Sequence, residues 1–566
     1  MISLMSPHPA ELVREMGYSN LKGVSVCLIN MPLRESAVPN TPPQGPGLLA
    51  ARLRQYGAAV TIVDLNAYRI KDEAASQAGK PNGRWLRPEE AEGLLTRHFT
   101  KHGAPDIIGL SGMITTLRWQ KWATETCRRL VPEAFLVSGG GLATEIKEGL
   151  FGWIPALDAV LHSEGDDILL VLAKQVLEAK RHRRRSMIQV PQYLGEQNGR
   201  PRFLYAGDRP KNLDDLPFAA WDLLDQDVDG KPIMEWYLKI PVWGLAANNS
   251  SAAPFEMTRS LTAVSSRGCP YACAFCYRGA QGERAYRMRS PDNLVAEVQH
   301  WLKIYQLDFF GFNDDNFAVD RRRVEQLPKI FEPLGGLRWG THTRLDEAAD
   351  ERADWMAAAG CVYIGFGAES ASARVLERMN KGGFILRPRG AKNNLLTPWN
   401  GFNFPTTMVE GYTRCRQVGI HGNCTWIMGY PGEELADLKT SIAFMLWQKE
   451  LVTAGLTPNT EAYRRAEMAV NRRMFVATAY PGTAMFKDPA CRQILAQNFN
   501  ISFSADGNPV ADEALENYVL ELDDADKVMH GPDGRPLNFG AMPENQFLEA
   551  RAHVSAGQVE KVLEMS

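Results

Sequence analysis

Six short apolar runs, each followed by a segment long enough for a helix, occupy the chain from Leu261 to Thr483, and each run stops at a polar or glycine-bearing corner. Leu261–Ser265 leads into a loop with three cysteines, Phe309–Asn313 into Asp314-Asp315-Asn316, and Leu337–Thr341 into His342-Thr343-Arg344. Val362–Gly367 stops at Ala368-Glu369-Ser370, Thr425–Met428 at Gly429-Tyr430-Pro431-Gly432-Glu433, and Met474–Ala479 at Tyr480-Pro481-Gly482-Thr483. Strands that alternate with helices build a parallel sheet, and six such repeats make a partial (β/α)6 barrel with its working residues at the carboxyl ends of the strands.

The loop after the first run holds Cys269, Cys273 and Cys276 at C-x3-C-x2-C spacing, with Phe275 directly before the last. Three thiolates this close can wrap one corner of a [4Fe–4S] cluster and leave the fourth iron without a protein ligand from the loop. An open iron is a place for a substrate. The competing reading is zinc, which ordinarily closes with a fourth Cys or His at short spacing, and none follows Cys276 closely. The nine cysteines are odd in number and scattered, which does not suit a disulfide framework.

A second strand–helix series precedes the barrel. Val24–Asn30, Ala59–Asp64, Ile107–Ser111, Ala134–Ser138 and Ala159–Leu161 read as the strands of a doubly wound parallel sheet. Ligands of such sheets sit beyond the carboxyl ends of the strands. That places the Asn30–Gly47 loop, Asp64–Arg69, Ser111–Thr115, Ser138–Gly141 and Ser163–Asp167 around one site. The run Gly139-Gly140-Gly141 lets backbone come close to a bulky ligand, although a glycine cluster is often only a tight turn.

The cysteine spacing with Phe275 resembles the radical S-adenosylmethionine (SAM) superfamily. The Pro-rich first loop, Ser-Gly-Gly-Gly and Ser163-Glu164-Gly165-Asp166 resemble the cobalamin-binding domain that precedes many radical SAM domains, so that the likeness spans roughly residues 20 to 490. It implies three cofactors: a [4Fe–4S] cluster, SAM and cobalamin carried as methylcobalamin. On the barrel, the resemblance implies that Asp314 and Asp315 border the SAM amino group, Arg344 its carboxylate, Glu369 with Ser370 the ribose or amino group, and the backbone at Pro431 SAM itself. Each of these barrel residues reads equally as a strand-end cap, a turn or an ion pair. On the first domain, Ser111, Ser138, Gly139, Gly140, Gly141, Glu164 and Gly165 would border cobalamin.

The D-x-H-x-x-G sequence by which some cobalamin proteins supply a histidine is absent, and His98, His102 and His162 lack its context. The resemblance therefore implies cobalamin bound base-off with no histidine ligand. Arg69 is the first candidate for the lower face of cobalt: a guanidinium stays charged, binds metal poorly, and would favour electron-rich Co(I) by Coulomb attraction. The plain alternative is an exposed arginine at a helix start.

The reading divides the chain into a cobalamin-binding Rossmann-like domain (1–185), a connector (186–255), a radical SAM partial barrel (256–490) and a small helical C-terminal domain (491–566), an α/β architecture overall. Residues 381–419 read as a long ordered loop able to shape a substrate pocket. With a net charge of −3, nothing draws the chain toward nucleic acid or an anionic membrane, and the basic run from Lys180 to Arg185 reads as a solvated helix end. The absence of a signal sequence and of an apolar run of about 18 residues points to a cytoplasmic enzyme.

Methyl transfer from SAM through methylcobalamin to a carbon is the implied activity. Length and layout are most similar to the tryptophan 2-C-methyltransferases of thiopeptide antibiotic biosynthesis, which implies C2 of the L-tryptophan indole as acceptor, with Glu369 or Tyr363 taking the proton. An external electron donor such as flavodoxin or ferredoxin would be the partner. The alternatives are a radical methyltransferase acting on an sp3 carbon or a phosphinate, and, in a different class, a corrinoid carrier or Fe–S redox sensor. A methylthiotransferase would need three more thiolates, and the first 180 residues hold only Cys27 and Cys127.

Overall fold

The computed structural model describes Val13 and residues 20–33, 39–80, 86–182, 192–197, 199–240, 257–276, 286–522 and 528–566. Residues 34–38 of the first loop, 183–185 of the basic run and 241–255 of the connector reading lie outside the described residues. Two compact units emerge, dividing after Tyr237.

In the first unit, a seven-stranded sheet runs in the order β2 (Ala59–Asp64), β1 (Ser25–Asn30), β3 (Ile107–Ser111), β4 (Phe135–Gly139), β5 (Ala159–His162), β7 (Arg200–Ala206), β6 (Gln192–Gln197). All pairs are parallel except β6 with β7. Strand β1 lies between two neighbours and beneath helices, which is why it reads as an unbroken apolar run; Leu28 and Ile29 are buried, each worth about 1.5–3 kcal/mol. Register lines up the carboxyl ends: Asn30 lies opposite Asp64 on one side and Ser111 on the other, and Ser111 lies opposite Gly139. Part of the segment read as a connector extends this sheet, since β7 pairs with β5 and turns back as β6.

The second unit carries a six-stranded parallel sheet whose spatial order follows the chain: β8 (Ser260–Ala263), β11 (Phe309–Phe312), β12 (Arg338–Thr343), β13 (Cys361–Glu369), β16 (His421–Met428), β17 (Phe475–Val476). This is the curled half-barrel expected from six strand–helix repeats. Between β8 and β11 a short antiparallel ribbon joins β9 (Ser266–Arg267) to β10 (Arg287–Met288). Helices restart where a capping residue precedes them: Ser290, Asp320 and Asp488 accept backbone N–H groups at the starts of Pro291–Tyr305, Arg321–Ile330 and Pro489–Phe499.

Residues 381–419 are more regular than a loop. They form a short helix, Gly382–Leu386, a hairpin of β14 (Leu396–Trp399) and β15 (Phe402–Pro405), and the helix Thr406–Gln417. The hairpin turns at Asn400-Gly401, both with positive φ, the backbone that a two-residue turn of this kind requires. The C-terminal segment is helical. Its helix Glu513–Leu520 groups with the first unit, whereas Glu544–Ser555 and Glu560–Glu564 cover the second, where Phe547, Val554 and Val562 pack on Met428, Leu438 and Ile442. Among the described residues, no helix is long and apolar enough to cross a membrane.

Candidate active site

Cys269, Cys273 and Cys276 lie half-buried on the loop after β9, with none in a disulfide. Backbone bonds from distant segments pin the loop: Ala274 N–H donates to Met379 O (2.8 Å), Met485 N–H to Ala274 O (2.8 Å), and Asn380 Nδ2 to Ala272 O (2.9 Å). Burial pushes the Cys269 thiol up and that of Cys276 up to about 12. Thiols that resist ionisation in this way gain from a bound cation, because metal ligation supplies the positive charge the thiolate lacks. Among the described residues, no three His, Cys, Asp or Glu side chains converge as a single ion would require. A cubane takes each thiolate at a separate iron, and three thiols on one braced loop are a donor set that suits it.

Tyr271, between the first two cysteines, stacks under the Arg344 guanidinium (4.0 Å to the ring centroid) and donates to Glu347 Oε1 at 2.9 Å. Glu347 also accepts from Asn316 Nδ2 (3.1 Å) and the Thr343 hydroxyl (2.5 Å), so the loops after β11 and β12 brace the cysteine loop. A cavity of about 930 Å³ opens beside Tyr271, and Phe384, Pro388, Leu395 and Thr406, from the segment expected to shape a pocket, help to line it.

The strand-end residues do not all face open space. Asp314 is buried and accepts from Ser265 N (2.6 Å), the Ser265 hydroxyl and the Ser266 hydroxyl (2.6 Å). Its carboxylate thus fixes the corner before the cysteine loop, as the capping alternative describes. Arg344 pairs with Asp346 (2.9 Å) and reaches Lys381 O at 3.3 Å, which gives it to the ion-pair alternative. Burial works against its charge, while Asp346 and Tyr271 hold its pKa above the ordinary arginine range. Ser370 is buried against the Ser441 hydroxyl (3.2 Å) and caps Ser372 N, a turn role. Asp315, by contrast, is exposed, and its charge acts on Cys269 and Cys276.

Glu369 closes β13 with φ +66, uncommon for a side chain this large. Its carboxylate folds back over Gly367, where an added Cβ would meet Oε1 at 2.5 Å, and lies 3.5 Å from both Lys381 Nζ and the Thr425 hydroxyl. Pro431 is buried in the Gly429–Glu433 turn, which Glu433 holds by accepting from Gly429 N at 2.5 Å. Tyr363 is not at this end. It sits six residues before Glu369 on the same strand, roughly 20 Å away at strand rise, packed with Phe309 near the amino ends and accepting from Asn423 Nδ2 at 3.0 Å. A proton-accepting role at the cysteine end is closed to it by position.

The barrel lumen also holds His342 and His421, which strand alternation could have placed beside Tyr363 and Gly365. The surrounding protein pushes both imidazoles down to about 4, as burial does to His98 in the first unit. These rings stay neutral in the fold. The stability they contribute is present above the ordinary histidine pKa of about 6.5 and is lost as pH falls through 4. The His98 share is read as the difference between the wild type and His98→Gln in denaturant unfolding at pH 7 and pH 4.5: the wild type is expected to lose about 2 kcal/mol more on acidification, and an equal pH dependence in the two would contradict the burial of the ring.

In the first unit, Arg69 is the second residue of the helix Tyr68–Gln77 and is 8% exposed, so it is not the exposed helix-start arginine of the alternative reading. Its Nη2 lies 3.4 Å from Glu73 Oε2, whereas Nε and Nη1 are buried with no hydrogen-bond partner among the described residues. The loop before it is locked by Asp64, which accepts from Asn30 Nδ2 (2.8 Å), Tyr237 OH (2.8 Å) and Asn66 N (3.0 Å). Gly140 has φ +86, and a Cβ there would come within 2.6 Å of Gly112 O, so this turn admits only glycine; above Gly139 there is open space. Ser111 ends β3 partly exposed, with Gly141, Glu164 and Gly165 at the same end of the sheet. Ser138 turns inward to donate to Gln120 Oε1 (2.7 Å), which makes it part of the floor rather than a ligand contact. His98 bonds Thr61 on β2 (3.0 Å).

Residues 264–445 match the Radical SAM superfamily, and this segment is a radical SAM domain. The chain is 27% identical over 431 residues to cytidylyl-2-hydroxyethylphosphonate methyltransferase of Streptomyces wedmorensis, covering 71% of this chain and 72% of that protein. It is 22% identical over 396 residues to an uncharacterized methyltransferase of Pyrococcus horikoshii, covering 69% and 71%. Among solved structures it shares its fold with TsrM from Kitasatospora setae, a radical SAM methyltransferase solved with cobalamin and a [4Fe–4S] cluster (TM-score 0.57, 16% identity, 95% of this chain and 90% of that one). It shares it also with OxsB, a cobalamin-dependent SAM radical enzyme solved with aqua-cobalamin and SAM (TM-score 0.59, 16% identity, 87% of this chain); this chain spans 64% of the OxsB chain.

Proposed function

We propose that this chain is a cobalamin-dependent methyltransferase of the radical SAM type that moves a methyl group from SAM to carbon 2 of the indole of L-tryptophan. When bound, the cluster and cobalamin would supply an iron that chelates SAM and a cobalt that carries its methyl group. Cys269, Cys273 and Cys276 would hold the cluster, and the first unit, at Ser111, Gly139–Gly141, Glu164 and Gly165, would hold cobalamin. Arg69 carries the reading: a buried guanidinium with two orphaned nitrogens is costly alone and suits an electron-rich neighbour. Glu369, held by Lys381 and Thr425, would accept the indole proton. Asp315 and the backbone at Pro431 remain the SAM-facing groups of this proposal, and an external one-electron donor such as flavodoxin or ferredoxin its cytoplasmic partner.

TsrM, which shares the fold, has been solved with tryptophan and a SAM analogue. A second reading, methylation of phosphorus or of an sp3 carbon, draws support from the Streptomyces phosphonate relative. Anaerobic turnover of the reconstituted protein with SAM, cobalamin and L-tryptophan separates the two. The expected products are 2-methyltryptophan and S-adenosylhomocysteine without 5′-deoxyadenosine. Abundant 5′-deoxyadenosine with no methylated tryptophan would sink the indole assignment in favour of the radical reading.

A further inference from the structure

Three consecutive residues after β13 each touch the cysteine loop. Met379 O accepts from Ala274, Asn380 Nδ2 donates to Ala272 O, and the Lys381 ammonium lies 5.7 Å from the centroid of Phe275, the residue before Cys276. Lys381 is 6% exposed, and its Nζ pairs with Glu369 Oε1 at 3.5 Å. Arg344 bonds its carbonyl at 3.3 Å, so a second cation fixes its backbone. No resemblance named this lysine. A buried ammonium is expensive unless charge nearby needs it, and one carboxylate at 3.5 Å is a modest partner.

We infer that Lys381 is a positioning residue that sets the electron affinity of the group held by Cys269, Cys273 and Cys276, a deepening that rests on the cluster reading of those cysteines. A cluster that takes one electron from a low-potential one-electron reductant gains one negative charge, with no bond made or broken. A cation beside Cys276 stabilises that added charge and raises the reduction potential. The Lys381 ammonium sits over the ring of Phe275, the residue directly before Cys276, and the neighbouring Met379 and Asn380 bond the same loop. Among the described residues, the acidic groups Asp315, Glu369, Glu347 and Asp346 lie around the loop, Arg344 stacks on Tyr271, and Arg378 lies behind Tyr430, the ring packed on Phe275. Lys381 is the buried cation seated on Phe275, and its ion-pair partner Glu369 supplies the opposing charge.

The test is an EPR-monitored redox titration of the full-length reconstituted chain with dithionite. Lys381→Met is expected to disfavour reduction about tenfold, a midpoint 59 mV lower for a one-electron couple, and Lys381→Arg to restore the wild-type midpoint. Glu369→Gln, which removes the opposing charge, is expected to shift it the other way. Opposite signs from two members of one ion pair are what charge predicts and a loosened loop does not. An unchanged midpoint in Lys381→Met, or shifts of one sign in both variants, would overturn the inference. Should Lys381→Met fail to hold a cluster, Glu369→Gln decides: a raised midpoint supports the inference and an unmoved one removes it. A wild-type chain without a reducible cluster would instead remove the cysteine assignment beneath it.

Discussion

Alanine at Cys269, Cys273 and Cys276 together leaves a folded chain that binds no iron. The loop keeps its shape through backbone bonds to Met379 and Met485 and through the Asn380 side chain, none of which uses sulfur. The three cysteines are half-buried, so the substitutions are expected to cost no more than about 1 kcal/mol each in unfolding free energy. Iron and sulfide analysis after anaerobic reconstitution checks the first half and circular dichroism the second. A full complement of iron in the triple variant would show that other residues hold the metal.

Arg69→Ala separates binding from chemistry. On the proposed function, turnover is expected to fall about 100-fold, the usual effect of removing one preorganised charge from a reacting centre, while cobalamin still binds, which its visible spectrum checks. The cofactor-free protein should lose nothing in stability and can gain about 1 kcal/mol, since the variant no longer buries a guanidinium with orphaned Nε and Nη1. A variant that turns over like the wild type would take Arg69 out of the mechanism, and one that unfolds would make it a structural residue.

The sheet was legible where patterning is local. Ala59–Asp64 and Ile107–Ser111 form strands over the residues the apolar runs predict, because a strand buried on both faces shows itself as an unbroken run. The cysteine loop stands out in the sequence because its three thiols are neighbours along the chain. Asp314, Arg344 and Ser370 show where the sequence stops deciding, because a strand-end polar residue looks the same whether it faces a ligand or a nearby group; the Ser265 and Ser441 partners lie on other segments, while Asp346 is two residues from Arg344. Tyr363 differs, since the run Val362–Gly367 already places it at the amino end of its strand, six residues before Glu369. The Asn400-Gly401 turn was readable as a hairpin signal and should have divided the long segment. Lys381 was out of reach, because its place against Phe275 depends on the whole path of the chain between them.

The anchoring of the cysteine loop has a temporal side. Asn380 holds Ala272 across 108 residues of chain, and Met485 closes on Ala274 from further still. Contacts of such separation form late, after the intervening strands have paired, because closing long loops comes before any contact that rewards it. During synthesis the three thiols therefore emerge well before the surroundings that shape them exist, and iron offered at that stage would meet a flexible peptide. Cluster loading belongs after folding of the barrel, which makes the order of assembly, and not only the identity of the ligands, a property written into this loop.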